Sequence, residues 1–268
     1  MAVVSDLELE YTPSSRAGGS AAPFVADYQA RSAAAAARFE GSVESFSAGG
    51  RLVRPGPDSP LLVFIHGGYW QALSAADSMY LAPGAVAAGW SFAAVEYTIA
   101  PGGTLAQMVG ECATALAHLA QRGPWNRVVL AGHSAGAHLA AMVAVSAVAP
   151  IRIDRLVLIS GVFDLRPLVH TTVNEPLGLD LAAAAALSPA LLPLDAIPDT
   201  VVAWAENDTD SFKAQSHVMA ARLRLAGATV VELESLARHH FDIVDDLVDP
   251  TCSLGAAALS SPHHGGSS

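Results

Sequence analysis

Short apolar runs alternate along this chain with longer amphipathic or alanine-rich stretches. Continuous apolar runs are typical of strands buried on both faces of a sheet, and the stretches between them have the length and periodicity of helices. The predicted strands lie at 43–46, 51–53, 61–65, 92–95, 128–130, 156–159, 200–205 and 229–233. The predicted helices lie at 24–39, 74–88, 105–121, from the end of the fifth strand to about Ala147, 210–226 and 241–247. This alternation predicts an α/β fold, with a mostly parallel central sheet and helices on both faces.

Three segments depart from the alternation. Residues 1–22 are rich in Ser, Gly and Pro, and residues 253–268 are small and polar, so both are predicted to be irregular. Residues 162–198 contain several prolines and a short alanine run, and we interpret them as a partly helical excursion beside the functional site. The prediction is a single domain over residues 1–268, with this small excursion in place of a large cap domain.

The apolar run at 128–130 leads into a Gly-x-Ser-x-Gly pattern, Gly132-His133-Ser134-Ala135-Gly136, which an alanine-rich helical pattern follows. This context is what a nucleophile elbow requires, because the serine must stand on a sharp turn between a strand and a helix. The flanking glycines avoid collisions with the neighbouring elements. We therefore predict Ser134 as a nucleophile, and we expect His133 and His138 to be packed or hydrogen-bonded structural residues.

A serine nucleophile needs a general base and an acid that orients the base. In this architecture the acid and then the histidine follow the serine, each just after a late strand. Asp208 is the favoured acid, Glu206 is the alternative, and Asp210 is expected to cap the next helix. His240, directly before the closing helix, is favoured as the base over its neighbour His239.

Acyl transfer also requires hydrogen-bond donors for an oxyanion. One backbone N–H is expected from Ala135, the residue after the nucleophile. The others are expected from Gly67, Gly68 and Tyr69, in the loop that follows the first buried strand, with Gly68 favoured. Glycine in that loop lets the backbone approach a substrate closely.

These motifs resemble the kynurenine formamidase (arylformamidase) family of α/β-hydrolases. The matching segments follow one another within residues 60–248, at 66–71 (HGGYWQ), 132–138 (GHSAGAH), 173–179 with 188–189, 206–208 and 240–242. The resemblance implies Ser134, Asp208 and His240 as a catalytic triad. It also implies hydrolysis of N-formyl-kynurenine to kynurenine and formate, without a metal or cofactor. Residues 40–56, which can border the pocket, keep little of the family's usual Asp-x-x-Tyr-Gly pattern.

Other functions are compatible with the same residues. A carboxylesterase, or a biosynthetic hydrolase of another ester or amide, would use the same triad. A non-catalytic binding protein on this fold is disfavoured, because the serine, the histidine and the loop glycines are all present. For an aryl substrate, Tyr69 and Trp70 would supply an aromatic wall, although both would pack equally well in the core.

Composition limits the class of partner. The net charge is −11, with 14 Lys+Arg against 25 Asp+Glu and no basic cluster, so neither nucleic acid nor a membrane surface is expected to bind. Two cysteines are too few for a disulfide framework, and the N-terminus lacks a signal-peptide pattern, which predicts a cytoplasmic protein. The pairs 239–240 and 263–264 lack metal-site spacing. The expected partner is a small aryl formamide, amide or ester, and a homodimer is left open.

Overall fold

The computed structural model describes residues 6–145, 151–195 and 197–260. The predicted helix end near Ala147 and the histidine pair at 263–264 lie outside the described residues.

Eight strands form one sheet in the order β1-β2-β4-β3-β5-β6-β7-β8. The first two strands run antiparallel to their neighbours, and all the other pairings are parallel. This arrangement confirms the predicted mostly parallel sheet and its leading hairpin. The strands are β1 Glu44–Phe46, β2 Gly50–Val53, β3 Leu61–Ile65, β4 Ser91–Val95, β5 Val128–His133, β6 Arg155–Ile159, β7 Asp199–Ala205 and β8 Val230–Ser235.

Helices cover both faces of the sheet, as the strand pattern predicts. Every residue of β3, β4 and β5 is buried, which explains their continuous apolar runs. One face packs against α4, α5 and α7, and the other against α2, α3 and α8. The α-helices are α1 Asp6–Glu10, α2 Ala22–Arg38, α3 Ala82–Ala87, α4 Leu105–Ala120, α5 Ala135–Val145, α6 Leu181–Ala186, α7 Asp210–Leu225 and α8 Ser253–Leu259.

Two predicted helices are shorter or tighter than the apolar pattern indicates. The segment predicted at 74–88 is a 3₁₀ helix, Ala76–Leu81, followed by α3. Pro83 lies in the first turn of α3, where a residue without an N–H is tolerated, so it marks a new helix start. The closing helix predicted at 241–247 is also a 3₁₀ helix, Ile243–Val248.

Helix α7 begins at Asp210, but the preceding residue supplies its cap. The Thr209 side chain accepts a hydrogen bond from the backbone N–H of Phe212. The prediction that Asp210 caps this helix was therefore wrong by one residue. Asp210 instead occupies the first turn, where its carboxylate faces the positive end of the helix dipole.

Both ends of the chain are more regular than predicted. The described part of 1–22 contains α1 and a 3₁₀ helix, Pro13–Arg16, and the C-terminal segment begins with α8. Leu254, Ala258 and Leu259 are buried, so small apolar residues in that segment pack on the sheet and stabilise a helix. The prediction of irregular ends was wrong for these residues.

The excursion at 162–198 is partly helical, as predicted. It contains 3₁₀ helices at Arg166–His170, Thr172–Asn174 and Pro189–Leu191, together with α6. Its short elements suit an extension of one domain, and the single-domain interpretation remains our proposal. Within the described ranges, no helix has the length and apolar character needed to cross a membrane.

Candidate active site

Ser134 stands on a sharp turn between β5 and α5. Its φ is 55°, in the left-handed region that costs energy for a residue with a side chain. A Cβ atom on Gly132 would lie 2.2 Å from the Gly136 carbonyl oxygen, and one on Gly136 would lie 2.0 Å from the Ile65 carbonyl oxygen. Both flanking positions therefore require glycine. Helix α5 begins at Ala135, directly after the serine, so the positive end of the helix dipole favours negative charge near Ser134.

Asp208 and His240 form a buried hydrogen-bonded pair. The Asp208 Oδ1 atom lies 2.7 Å from His240 Nδ1. Asp208 Oδ2 accepts hydrogen bonds from the Ser160 hydroxyl at 2.6 Å and from the Ala205 backbone N–H at 2.9 Å. Because an ionised carboxylate only accepts hydrogen bonds, the contact places the proton of a neutral His240 ring on Nδ1. The Nε2 atom is then the proton acceptor of that ring.

The Asp208 carboxylate is held in its ionised form. Burial alone would raise its pKa, but the neighbouring His240 and the hydrogen bonds from Ser160 and Ala205 outweigh that effect and leave the pKa of Asp208 below its ordinary value. The carboxylate can therefore orient the imidazole and stabilise a positive charge on it.

The alternative acid and base lie elsewhere. The exposed Glu206 directs its carboxylate to the backbone N–H of Ala237, 2.7 Å away, and has no contact with either histidine. His239 Nδ1 accepts hydrogen bonds from the backbone N–H groups of Phe241 and Asp242 at 3.2 and 3.3 Å. The structure thus brings Asp208 and His240 together and keeps Glu206 and His239 apart from them.

The loop after β3 approaches Ser134 closely. A Cβ atom on Gly67 would lie 3.2 Å from the Ser134 Cβ atom, and Gly68 has a φ of 99°, which glycine adopts without strain. Over the part of the chain that the structure describes, the backbone N–H groups of Gly68, Tyr69 and Ala135 have no hydrogen-bond acceptor. These groups are available as donors beside the serine.

His133 and His138 are buried and hydrogen-bonded, as expected, and both are neutral. Burial lowers the pKa of His133 to about 3 and that of His138 to about 4. His138 Nε2 lies 2.7 Å from the Leu187 carbonyl oxygen, so Nε2 carries the proton, while Nδ1 is buried without a partner. His133 Nε2 lies 2.7 Å from the His240 carbonyl oxygen. Neither side chain is placed to act as the base of Ser134.

The depressed pKa of His138 predicts acid-sensitive stability. In the unfolded chain an imidazole takes up a proton as the pH falls through about 6.5, whereas folded His138 resists protonation until about pH 4. The unfolded state therefore binds more protons, and stability falls with pH over this window. For His138 alone, we expect a loss of about 2 kcal/mol between about pH 7.5 and pH 5.

Urea unfolding at the two pH values measures this loss. The His138→Gln variant, whose amide can still donate to the Leu187 carbonyl, should show a pH dependence smaller by about that amount. The exposed His118 of α4 provides a matched control, His118→Gln, which should keep the parent's pH dependence. Equal pH dependence in the parent and in His138→Gln would contradict the assignment.

Ser134 and His240 open onto a common cavity of about 310 Å³. The cavity is also lined by Gly68, Tyr69 and His133, by α2, and by two segments distant from each other in sequence. One segment is the N-terminal stretch that contains Glu8 and Tyr11, and the other is the part of the excursion that contains Thr172. A volume of this size suits a small organic molecule.

Comparison with known proteins identifies the family. A model of the alpha/beta hydrolase fold family matches residues 62–242. A kynurenine formamidase from Danio rerio is 39% identical over 204 residues, which cover 72% of this chain and 69% of the relative. The chain belongs to the kynurenine formamidase family. A kynurenine formamidase from Salmo salar is 38% identical over the same shares of the two chains, and one from Drosophila melanogaster is 30% identical over 70% of this chain and 68% of the relative.

Solved structures have the same fold as this kynurenine formamidase family member. A crystal structure from Silicibacter sp., described as a candidate thioesterase, superposes with a TM-score of 0.86 and 28% identity, covering 95% of this chain and 99% of the other. An esterase from Pyrobaculum calidifontis gives a TM-score of 0.70 at 20% identity over 92% and 99% of the two chains, which supports the fold alone. The predicted α/β-hydrolase fold and the predicted family are confirmed, and the chain is a hydrolase that acts on a small molecule.

Trp70 packs in the core of this kynurenine formamidase family member and does not line the cavity, where an aromatic wall was predicted. Its side chain is 0% exposed and packs edge-on against the His138 ring, with the centroids 5.1 Å apart, whereas Tyr69 lines the cavity. Adjacent residues of a tight turn point in different directions, so only one of the two aromatic side chains faces the cavity. The prediction of Trp70 as a pocket residue was wrong.

Two parts of the site have no counterpart in the sequence predictions. Ser160 directly follows β6, and its hydroxyl donates a hydrogen bond to the Asp208 carboxylate. The sequence feature that could have indicated this role is a polar residue at the carboxyl end of a central strand. The N-terminal segment with Glu8 and Tyr11 walls the cavity, and no motif marks it. Among the described residues, no group of three or more His, Cys, Asp or Glu side chains is arranged to hold a metal ion.

Proposed function

We propose that this member of the kynurenine formamidase family hydrolyses N-formyl-kynurenine, or a closely related aryl formamide, with Ser134, His240 and Asp208 as its catalytic triad. The observation that carries the proposal is the 2.7 Å contact between Asp208 and His240, because His240 lines the same cavity as Ser134. The identity to kynurenine formamidases supports the choice of acyl group.

The proposed reaction proceeds through a formyl-enzyme. The Ser134 oxygen attacks the formyl carbon while its proton passes to His240 Nε2, and Asp208 stabilises the resulting imidazolium. The tetrahedral intermediate collapses as His240 returns the proton to the leaving nitrogen, which releases the aryl amine. A water molecule, deprotonated by His240, then attacks the formyl ester and releases formate and free Ser134.

We further propose that backbone N–H groups stabilise the oxyanion of each tetrahedral intermediate. Ala135 and Gly68 are the favoured donors, with Tyr69 and Gly67 in the same loop. Support comes from the N–H groups of Ala135, Gly68 and Tyr69, which have no acceptor in the described part of the chain. It also comes from the closeness of the loop to the serine, since a Cβ atom added to Gly67 would lie 3.2 Å from the Ser134 Cβ atom. Donors that are already in place require no reorganisation as charge develops.

Turnover of a small substrate panel tests the function. A formyl group needs almost no room on the acyl side, so most of the 310 Å³ cavity is left for an aryl leaving group. We expect N-formyl-kynurenine to be the best substrate, small formyl and acetyl aryl substrates to be cleaved, and long-chain acyl esters to be rejected sterically. Kynurenine absorbance and enzymatic formate assays measure both products. A preference for butyryl or longer esters without formamide cleavage would instead identify a carboxylesterase.

A cytoplasmic location is part of the proposal. It is supported by Cys112 and Cys252, which are both free cysteines in the described structure. The absence of nucleic-acid and membrane partners, and the option of a homodimer, remain predictions from the charge and composition.

A further inference from the structure

The loop after β3 contains three successive residues in the left-handed backbone region. Gly68, Tyr69 and Trp70 have φ values of 99°, 51° and 60°. Glycine adopts such a φ without strain, whereas a residue with a Cβ atom is strained there. The same loop carries N–H groups of the proposed oxyanion site. These donors therefore lie on backbone that would relax to another conformation unless the surrounding structure held it in place.

Different contacts hold the two strained residues. The Trp70 side chain is fully buried, and its carbonyl oxygen accepts a hydrogen bond from the Ala100 backbone N–H at 2.7 Å. Tyr69 is held through its side chain, whose hydroxyl donates to the Tyr11 carbonyl oxygen at 2.5 Å. Burial raises the pKa of Tyr69 well above its ordinary value, so the hydroxyl keeps the proton that it donates. The Tyr69 contact is with the N-terminal segment, which we define as residues 6–16.

The N-terminal segment is itself fixed to α7, next to the proposed acid. The Gln215 side-chain amide donates to the Tyr11 hydroxyl at 3.0 Å, and the Thr209 hydroxyl donates to the Glu10 carbonyl oxygen at 2.6 Å. Thr209 directly follows Asp208 in the chain. The segment therefore joins the loop after β3 to the part of the chain that carries the acid.

Phe212 of α7 connects these contacts to the base. Its ring is fully buried and lies edge-on to the His240 ring, with the centroids 4.8 Å apart. The same ring packs against Tyr69 and Tyr11, at centroid distances of 6.5 and 6.1 Å. Three side chains, one from the loop, one from the N-terminal segment and one from the acid–base pair, therefore pack around a single aromatic ring. This packing gives the segment a defined position relative to the reacting groups.

We propose that the hydrogen bond from the Tyr69 hydroxyl to the Tyr11 carbonyl oxygen holds the strained loop in the conformation that directs its N–H groups at the oxyanion. The Tyr69 side chain is then a positioning group, and the N-terminal segment is part of the catalytic apparatus. Without the bond, the φ of Tyr69 relaxes. This turns the peptide plane between Gly68 and Tyr69 and moves its N–H group away from the serine. The inference rests on the proposed roles of Ser134 and the oxyanion donors, and it does not depend on which acyl group is the natural one.

Hydrolysis of phenyl acetate by Tyr69→Phe tests the proposal without relying on formamide cleavage. The variant removes the hydroxyl and keeps the ring that lines the cavity. Outright removal of one oxyanion donor lowers kcat by about 10²–10³-fold, so we expect loosening of the loop to lower kcat by about 10-fold. KM should stay within about 2-fold of the parent value, because the bond acts on the transition state and leaves the shape of the cavity unchanged.

Two ketone inhibitors separate oxyanion positioning from a general structural effect. With an aryl trifluoromethyl ketone, the Ser134 oxygen adds to the ketone carbon, the serine proton passes to His240, and the former carbonyl oxygen becomes the oxyanion. Tyr69→Phe should weaken this inhibitor by about the same 10-fold as it lowers kcat. The methyl ketone with the same aryl group is far less electrophilic and occupies the cavity without forming the adduct. Its affinity should equal that of the parent.

Tyr80→Phe provides the matched control. It removes the same hydroxyl group from a tyrosine that does not line the cavity and whose ring packs under the Arg31 guanidinium. This variant should keep the kcat of the parent and its affinity for both ketones. An unchanged kcat in Tyr69→Phe, an equal loss in Tyr80→Phe, or equal weakening of the two ketones by Tyr69→Phe would overturn the proposal.

A parallel assay with N-formyl-kynurenine separates this inference from the proposed function. If the parent cleaves phenyl acetate but not N-formyl-kynurenine, and Tyr69→Phe shows the predicted losses, the formamidase function is refuted and the role of Tyr69 is supported. If the parent cleaves N-formyl-kynurenine and Tyr69→Phe equals the parent on both substrates, the role of Tyr69 is overturned and the formamidase function is left intact.

Discussion

Replacing Ser134 with alanine is expected to lower kcat/KM for N-formyl-kynurenine by about 10⁴-fold or more. The variant removes the oxygen that forms the formyl-enzyme, while the donors around it can still bind substrate. The fold should remain intact, because alanine is smaller than serine and therefore fits in the same space. The strain at the φ of 55° comes from the Cβ atom, which both residues have, so the substitution leaves it unchanged. Circular dichroism and thermal unfolding check the fold, and kynurenine release measures activity.

A second serine provides a matched control for this variant. Ser14 lines the same cavity, and its hydroxyl has no role in the proposed chemistry. Ser14→Ala should lower kcat/KM far less than Ser134→Ala does. If Ser134→Ala kept substantial activity, or if the two variants lost similar activity, Ser134 would not be the nucleophile.

Replacing His240 with alanine is expected to be nearly as damaging as Ser134→Ala, with a loss of about 10⁴-fold or more. The members of a triad act as a unit, and without His240 no group accepts the serine proton or protonates the leaving nitrogen. The buried His240 ring lies 2.7 Å from the Asp208 carboxylate. Among the described residues, no other imidazole is hydrogen-bonded to this acid.

The adjacent His239 makes the comparison specific. His239 packs on Phe24, with the ring centroids 4.8 Å apart, and accepts hydrogen bonds from the backbone of its own turn. His239→Ala should therefore change kcat/KM by only a few fold. An inactive His239→Ala beside an active His240→Ala would reverse the assignment of the base.

The positions of the central strands and of the elbow follow from local sequence. The run Leu61–Ile65 is apolar at every position because both of its faces are covered, and Gly132 and Gly136 are needed because backbone atoms lie about 2 Å from where their Cβ atoms would be. The choice of Asp208 and His240 follows from fold order, since the carboxyl ends of neighbouring parallel strands meet at one edge of the sheet.

The walls of the cavity could not be predicted in this way. Glu8 meets Thr172 across 164 positions of sequence, and Tyr11 meets Gln215 across 204. Contacts this distant in sequence depend on how the N-terminal segment and the excursion pack against the rest of the domain, and neither segment has a strong periodicity. Trp70 was misplaced for a related reason, because composition alone does not say which of two adjacent aromatic side chains a turn directs inward.

Active-site titration with a fluorophosphonate tests the central claim most directly. The parent protein is labelled to increasing extents, and each sample is assayed for N-formyl-kynurenine hydrolysis and mapped by peptide mass spectrometry. The account predicts that formamide turnover falls in proportion to labelling, that it reaches zero at about one label per chain, and that the label lies on Ser134. Full labelling of Ser134 with undiminished formamide turnover would contradict the account. Failure of the unlabelled parent protein to cleave N-formyl-kynurenine would contradict it as well.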